Sequence, residues 1–294
     1  IIRRAGRRED AACHAAGAQC AGPRGFGGLA GDAVYVDTEG SFFAPRAQDM
    51  AEALISGLHR SVAHGSTPAQ QQALAALDVR SMLSRITYFR VHNAVEQLSV
   101  IRSLDELCAE PSRNVRLVLI DSIAFHLRHM DATIQRRLKM QGQMAHALSN
   151  LALRHGLAVV VINQVTTKVH EALGTSTLVP ALGDAWAHMC NVQASLQWRD
   201  GQRVATLYKG LAPGEAVYRV TAEGIRSASP EQDANAPSFD LPCGQQPADV
   251  LSGSGQPGYF DPMHLDARHR RLNLSELVPP PGCQSAEHHQ AGRP

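Results

Sequence analysis

The sequence lacks the features that define several classes of protein. Its longest apolar stretches, such as Val115–Ile120 and Leu157–Ile162, are far shorter than the roughly 20 residues of a membrane helix. The opening residues, Ile-Ile-Arg-Arg-Ala-Gly-Arg-Arg, contain no apolar core after their charges, so no signal peptide is predicted. The six cysteines include no Cys-x-x-Cys pair, which argues against a zinc site and against a secreted disulfide framework. We therefore expect an intracellular protein from a reducing compartment.

An excess of charge of either sign is also missing. The 28 basic and 27 acidic residues give a formal net charge of +1, which excludes a uniformly basic surface. Any contact with nucleic acid must therefore come from local patches of arginine and lysine. The chain has 294 residues, 44% of them hydrophobic, which is enough to bury one α/β core and leave residues over for tails.

Three regions differ in composition. Residues 1–32 are rich in Ala, Gly and Arg without sustained periodicity, so we expect an irregular segment. Residues 33–226 alternate strand-like and helix-like segments and are predicted to form the folded core. Residues 227–294 are dense in Pro, Gly, Ser, His and Gln, which predicts a disordered tail.

Within the core, strand-like runs alternate with helix-period segments. One helix is predicted over Arg46–Arg60, a second begins at the capping residue Asn93, and a long third ends at Gly156. The pair Asp200-Gly201 predicts a hairpin. This order predicts an α/β fold with a mainly parallel sheet, helices on both faces and antiparallel strands at one edge. The predicted strands are Ala33–Asp37, Ile86–Val91, Val115–Ile120, Leu157–Asn163, Val192–Trp198, Gln202–Lys209 and Ala216–Val220.

Three predicted strands end in polar residues that are useful in nucleotide hydrolysis. Parallel strands collect such residues at one edge of the sheet, so Glu39, Asp121, Ser122 and Gln164 should surround one cleft. An aspartate after four apolar residues, as at Asp121, can hold Mg²⁺ through its waters. A glutamate such as Glu39 can polarise an attacking water, and Gln164 can sense a terminal phosphate.

Each of these features has a simpler explanation when it is taken alone. An apolar run that ends in Asp is common in α/β proteins, and Glu39 could merely cap the helix that follows it. Asn163-Gln164 could be an ordinary polar strand end. Their combination, in this order at successive strand ends, favours a nucleotide site.

Several motifs together resemble a known family. Tyr35–Phe42 (YVDTEGSF), Arg116–Phe125 (RLVLIDSIAF) and Asn163–Lys168 (NQVTTK) are similar to the core of the RecA-type recombinases, specifically the eukaryotic paralogues of homologous-recombination repair. Val179–Gly183, Trp186–His188 and Ala205–Lys209 most resemble the paralogue group designated C. The resemblance implies a RecA-like ATPase core over residues 33–226. It also implies ATP and Mg²⁺ as cofactors, DNA and related paralogue subunits as partners, and the nucleus as the location.

The resemblance also implies roles for single residues. Glu39 matches the catalytic glutamate, Asp121 the Mg²⁺-binding aspartate with Ser122 beside it, and Gln164 the phosphate-sensing glutamine. Two segments match the loops that face DNA in filament-forming members, His126–Lys139 and Val165–Gly183. The candidate DNA contacts in them are Arg128, Arg136, Arg137, Lys139 and Lys168.

One signature of that family is absent. No Gly-Lys-Ser/Thr occurs in the 294 residues, although the phosphate-binding loop of the family requires it. Without that loop, most of the affinity for nucleotide should be missing. We also expect this chain to lack the small N-terminal domain of the family. We therefore expect an incomplete or alternative product of a longer gene. The alternatives are a non-catalytic scaffold with a RecA fold and a RecA-like ATPase of another pathway.

Overall fold

The computed structural model describes residues 2–3, 11–62, 66–170, 174–210, 212–228 and 271–273. The helices there are α1 (Ala11–Ala21), α2 (Ala44–Val62), α3 (Pro68–Ala75), α4 (Val79–Ser84), α5 (Ala94–Ala109), α6 (Phe125–His129), α7 (Ile134–His155) and α8 (Gly183–Met189). The strands are β1 (Ile2–Arg3), β2 (Asp32–Asp37), β3 (Ile86–Arg90), β4 (Val115–Asp121), β5 (Ala158–His170), β6 (Thr175–Pro180), β7 (Gln193–Arg199), β8 (Gln202–Lys209), β9 (Gly214–Thr221), β10 (Gly224–Ser227) and β11 (Arg271–Asn273).

All strands of the described residues belong to one sheet with the order β10-β9-β8-β7-β1-β5-β4-β2-β3-β11, and β6 pairs with β5. The pairs from β7 through β3 are parallel. The antiparallel strands β8, β9 and β10 form the edge next to β7. The predicted fold class is therefore confirmed, with β11 added antiparallel at the opposite edge.

The central strands are apolar on both faces because helices cover both. On β2, Val34 and Val36 belong to the core cluster that contains α5 and α7. Their neighbours Ala33 and Tyr35 face the opposite cluster, which includes Cys20 of α1 and Ala47 of α2. This alternation is the period of two that strand geometry imposes.

The helix caps and the hairpin turn predicted from the sequence lie at the expected residues. Asn93 caps α5, and its side chain accepts hydrogen bonds from the N–H groups of Val95 and Glu96. Gly156 ends α7 with a left-handed φ of 59°. The hairpin between β7 and β8 turns at Asp200 and Gly201, whose φ angles of 52° and 76° are both positive, as a two-residue hairpin turn of this kind requires.

Residues 11–21 form a helix, whereas the sequence predicted an irregular segment over residues 1–32. Helix α1 packs against α2, β2 and β4, and its Ala18, Cys20 and Ala21 are buried. The hydrophobic period was hard to detect because α1 contacts the sheet mainly through alanine and cysteine. The tail predicted over 227–294 lies outside the described residues except at 227–228 and 271–273, and Arg271–Asn273 is a strand there.

The two segments expected to be loops are also regular structure. His126–Lys139 contains α6 and the first turns of α7, and Val165–Gly183 is largely the antiparallel ribbon formed by β5 and β6. Among the helices of the described residues, none has the length and apolar character that a bilayer crossing needs.

The cap of α5 gives a test of the fold. Asn93→Ala removes the acceptor for two N–H groups at the start of the helix, so urea denaturation should show a loss of about 1 kcal/mol in the free energy of unfolding. Arg102→Ala, at an exposed position of the same helix, is the matched control and should change it by less than about 0.5 kcal/mol. Equal stability of both variants would contradict the role of Asn93.

Candidate functional site at the carboxyl ends of β2, β4 and β5

The strand ends that carry the predicted site residues are adjacent in the sheet. Asp37 at the end of β2 lies opposite Asp121 at the end of β4, and Asp121 lies opposite Ile162 of β5. The chain then continues from these ends to Glu39, Ser122 and Gln164. The register therefore brings together the four residues that the sequence assigned to one cleft.

Glu39 is the centre of a hydrogen-bonded chain. The Ser122 hydroxyl donates to Glu39 Oε1 at 2.7 Å, and Gln164 Nε2 donates to the same oxygen at 2.6 Å. Arg128 on α6 then donates to Gln164 Oε1 at 2.8 Å. A negative charge, a hydroxyl, an amide and a guanidinium are thus connected across three strand ends and a helix.

Asp121 lies deeper than Glu39. It is fully buried, and the Tyr35 hydroxyl donates to its Oδ2 at 3.2 Å. Thr38 joins β2 to β4 at this level: its N–H donates to the Asp121 carbonyl at 2.9 Å, and its hydroxyl donates to the Ser122 carbonyl at 2.9 Å. The Asp121–Ser122 peptide bond is cis.

Asp37 organises the turn that presents Glu39, and the sequence analysis missed this role. Its buried carboxylate accepts hydrogen bonds from four successive N–H groups: those of Glu39 (3.0 Å), Gly40 (2.7 Å), Ser41 (3.3 Å) and Phe42 (3.1 Å). An aspartate directly before Thr-Glu-Gly is the signal that could have predicted such a turn.

Side chains from β3 complete the surroundings of Asp37. The Tyr88 hydroxyl donates to Asp37 Oδ2 at 3.0 Å, and the Arg90 guanidinium lies 3.7 Å from Oδ1. Burial, together with the nearby Asp37 carboxylate, raises the pKa of Tyr88 above its ordinary value, so the phenol stays a neutral donor. Gly40 has a φ of 77°, and a Cβ there would lie 3.0 Å from a terminal nitrogen of Arg90.

The end of β1 lies at the same edge of the sheet. Arg3 at the end of β1 lies beside Gln164, and α1 begins at Ala11. Residues 4–10, which join them, read Arg-Ala-Gly-Arg-Arg-Glu-Asp and lie outside the described residues. Within the described part of the chain, no group of three or more His, Cys, Asp or Glu side chains is arranged to hold a metal ion.

Comparison with known proteins decides the family. A model of the Rad51 family matches residues 69–228, which is more than half of the chain. The chain belongs to the Rad51 family. The matched range includes Asp121, Ser122 and Gln164 and begins after Glu39.

Relatives of this chain within the Rad51 family include two proteins named "DNA repair protein RAD51 homolog 3". The one from Cricetulus griseus is 37% identical over 209 residues, which are 70% of this chain and 56% of the relative. The one from Dictyostelium discoideum is 37% identical over 187 residues, 64% of this chain and 48% of the relative. The similarity to the paralogue group designated C is therefore confirmed, and the chain spans about half the length of the curated relatives it matches.

The basic residues predicted to contact DNA occupy three places. Arg128 belongs to the network around Glu39, as described above. Arg136, Arg137 and Lys139 lie in the first turns of α7, where Arg136 and Lys139 are exposed. Lys168 is exposed on the β5–β6 ribbon, which also exposes the apolar side chains of Val169 and Leu178. The structure therefore separates Arg128 from the other four by its contact with the site.

His126 attaches α6 to the loop after β3. Its Nε2 lies 3.0 Å from the Val91 carbonyl, and it must donate because a carbonyl only accepts. Burial lowers the pKa of His126, and it outweighs the hydrogen bond to Val91, which acts in the opposite direction; the positive charge of Arg90 adds to the lowering. The folded protein therefore favours the neutral ring, with its proton on Nε2.

The role of Asp37 predicts a large effect on stability. Asp37→Asn places an amide group among donors that require an acceptor, so the free energy of unfolding should fall by about 3 kcal/mol. Amide hydrogen exchange should accelerate over residues 38–43. Glu110→Gln, which affects a more exposed ion pair with Arg113, is the control and should cost less than about 1 kcal/mol.

The lowered pKa of His126 predicts a dependence of stability on pH. The unfolded chain binds the proton more tightly than the folded protein does. The contribution of His126 to the free energy of unfolding should therefore be fully present above pH 6.5, the ordinary pKa of histidine. It should be lost as the pH falls through the lower pKa of the folded state. His126→Gln keeps a donor for Val91 and does not titrate. The variant should therefore lose less stability than the unaltered protein between pH 7.5 and pH 5, as measured by urea denaturation; an equal loss would contradict the assignment.

Proposed function

We propose that this chain is the sheet core of a recombination-repair protein that acts on DNA in the nucleus together with related subunits. The site at the ends of β2, β4 and β5 would serve ATP hydrolysis. The observation that carries the proposal is the hydrogen bonding of Glu39 by Ser122 and Gln164 at adjacent strand ends. The relatives named for DNA repair support the proposed role in repair.

The side chains at this site fit the Mg²⁺ ion and the terminal phosphate of a Mg²⁺–triphosphate group better than they fit the inner phosphates. Asp121 and Ser122 would hold Mg²⁺ and its waters, and Gln164 would contact the terminal phosphate. The metal would supply charge stabilisation for the departing phosphate oxygens. The sequence offers no Gly-Lys-Ser/Thr for the inner phosphates, so we expect weak binding of nucleotide by this chain.

Glu39 is suited to orient and polarise a water. Ser122 and Gln164 both bind Oε1, and they hold the carboxylate in one orientation through a single oxygen. A carboxylate fixed in this way by short hydrogen bonds is preorganised for proton transfer. Because Gln164 also binds Arg128, a change at the phosphate end of the site would be passed to α6.

The basic residues of α7 support contact with DNA. Arg136, Arg137 and Lys139 lie at the N-terminal end of the helix, whose dipole is positive there, and the first turn has no acidic residue. This placement opposes helix stability, but it is favourable for binding a phosphate backbone. Lys168, exposed on the β5–β6 ribbon, would supply a separate phosphate contact.

A gain-of-function experiment tests the nucleotide site. Replacing residues 4–10 with a Gly-x-x-x-x-Gly-Lys-Ser loop should raise the affinity for a fluorescent ATP analogue, and the same graft with its lysine changed to alanine is the control. In the lysine-containing graft, Glu39→Gln should leave affinity nearly unchanged and slow hydrolysis by about 10²–10⁴-fold. Equal hydrolysis with and without Glu39→Gln would refute the catalytic role of Glu39.

The ungrafted chain separates the two candidate functions. Without the lysine, the chain should bind the fluorescent analogue with a dissociation constant far above the micromolar range. It would then act by holding partners without turning over ATP. Micromolar binding by the unaltered chain would show that another segment replaces the phosphate loop.

Charge removal tests the DNA surface. The triple change Arg136→Ala, Arg137→Ala and Lys139→Ala should weaken binding of single-stranded DNA and reduce the slope of log K against log salt by about 2. The control removes the same charge at exposed positions elsewhere, by Arg80→Ala, Arg102→Ala and Arg219→Ala. Equal effects of the two triple variants would contradict a localised surface on α7.

A further inference from the structure

The outer side of β3 is paired with a short segment from the tail of the chain. Strand β11 (Arg271–Asn273) runs antiparallel to β3, with Leu272 opposite Tyr88. The strand that precedes β11 among the described residues is β10, which lies at the opposite end of the sheet order. The chain therefore returns across the width of the sheet to place three residues beside β3.

Two hydrogen bonds show which backbone groups of β3 face this outer side. The Val91 N–H donates to the Asp37 carbonyl at 2.9 Å. The Ala33 N–H donates to the Arg85 carbonyl at 2.9 Å, so alternate residues from 85 to 91 direct their N–H and C=O groups to β2. Successive residues of a strand direct these groups to opposite sides. The groups that face away from β2, which we call the β3 edge, belong to Ile86, Tyr88 and Arg90.

Leu272 is the residue of β11 that meets one of these outward groups. It lies opposite Tyr88, and at such a position two antiparallel residues exchange both of their N–H···O=C bonds. Its neighbours in β11 lie opposite Phe89 and Thr87, whose backbone groups are directed to β2. The contact between β11 and the β3 edge thus depends on a single residue pair, and a contact of this size is easily displaced.

β3 has none of the features that commonly protect an edge strand. Open N–H and C=O groups can pair with another chain, and proteins prevent this with charges, proline, bulges or a cover. The sequence of β3, Ile-Thr-Tyr-Phe-Arg, favours β structure and contains no proline, and its pairing with β2 has no register shift. Its one charged residue, Arg90, donates to the Asp37 carbonyl. A cover is therefore the remaining means of protection.

The connection to β11 is long enough for the tail to reach the β3 edge of its own chain. Residues 229–270 form this connection, and about 40 residues can span more than 100 Å. The sheet is only roughly 45 Å wide at about 4.8 Å per strand. Covalent attachment also raises the effective concentration of the segment to the order of millimolar. A contact of one residue pair can then form within one chain, although it would be negligible between separate molecules at micromolar concentration.

We propose that Arg271–Asn273 is a displaceable cover of the β3 edge, bound within its own chain, and that it prevents β3 from pairing with a second copy of this protein. The register of Leu272 on Tyr88, the unprotected sequence of β3 and the length of the connection all support this occupant. The cover uses the backbone of β3 alone, so it is independent of nucleotide hydrolysis at the Glu39 site.

Hydrogen exchange at single amides tests the cover in the full chain. Leu272→Pro removes the N–H that donates to the Tyr88 carbonyl, so the Tyr88 amide should exchange about tenfold faster, as measured by NMR. The Phe89 amide faces β2 and is the internal control, which should keep its rate. Two control variants should leave Tyr88 protected: Leu272→Ala, which keeps the N–H, and Leu265→Pro, which places a proline in the same tail outside β11.

A peptide of residues 267–277 provides a second measurement. Added to the Leu272→Pro protein, it should restore slow exchange at Tyr88 with a Kd on the order of millimolar, because the tether is then absent. The same concentration should not change exchange at Tyr88 in the unaltered protein, whose edge is already occupied. In sedimentation velocity, Leu272→Pro should self-associate at about tenfold lower concentration than Leu265→Pro, since a cover populated ten to one weakens a competing contact by about that factor.

Three results would overturn the proposal. Equal exchange at Tyr88 in the unaltered and Leu272→Pro proteins would show that the segment does not occupy the edge. Loss of Tyr88 protection when the unaltered protein is diluted would show that the segment pairs between two copies instead of within one chain. Equal self-association of Leu272→Pro and Leu265→Pro would show that the segment does not shield β3.

Discussion

The turn after β2 depends on a single buried carboxylate. Asp37 accepts four successive backbone N–H groups and is contacted from β3 by Tyr88 and Arg90. These bonds fix the path of residues 38–42, and that path aims Glu39 at Ser122 and Gln164. A buried charge is tolerated only when its hydrogen-bonding capacity is used. The geometry of the candidate site therefore depends on the hydrogen bonds that the backbone N–H groups of residues 39–42 donate to Asp37.

The same constraint connects the sheet to the helix that follows β4. Thr38 bonds to the backbone at Asp121 and Ser122, so the turn after β2 and the end of β4 are held as one unit. Gln164 then contributes its two amide atoms to different partners, Glu39 and Arg128. An amide shared in this way cannot change one contact without affecting the other. This arrangement links the carboxylate to α6 through side chains that already touch.

The sequence predicted the parts of this arrangement that follow from periodicity and strand order. Glu39, Asp121, Ser122 and Gln164 could be grouped because parallel strands place their carboxyl ends together. Asp37 was not recognised because its role depends on a turn geometry that is not visible in a one-dimensional pattern. Helix α1 was missed because small residues pack closely on the sheet without producing an apolar stripe. Arg128 was grouped with the other basic residues because its bond to Gln164 depends on where α6 ends.

Charge and apolar surface are separated along α7. Arg136, Arg137 and Lys139 occupy its N-terminal turns, while Met144, Leu148 and Leu151 further along the helix are buried in the core. The basic turns are therefore held in place by the close packing of the rest of the helix. Gln141 adds to this anchoring, since its amide donates to the Leu182 carbonyl directly before α8. A phosphate backbone bound at the first turns of α7 would therefore meet side chains whose positions the core already fixes.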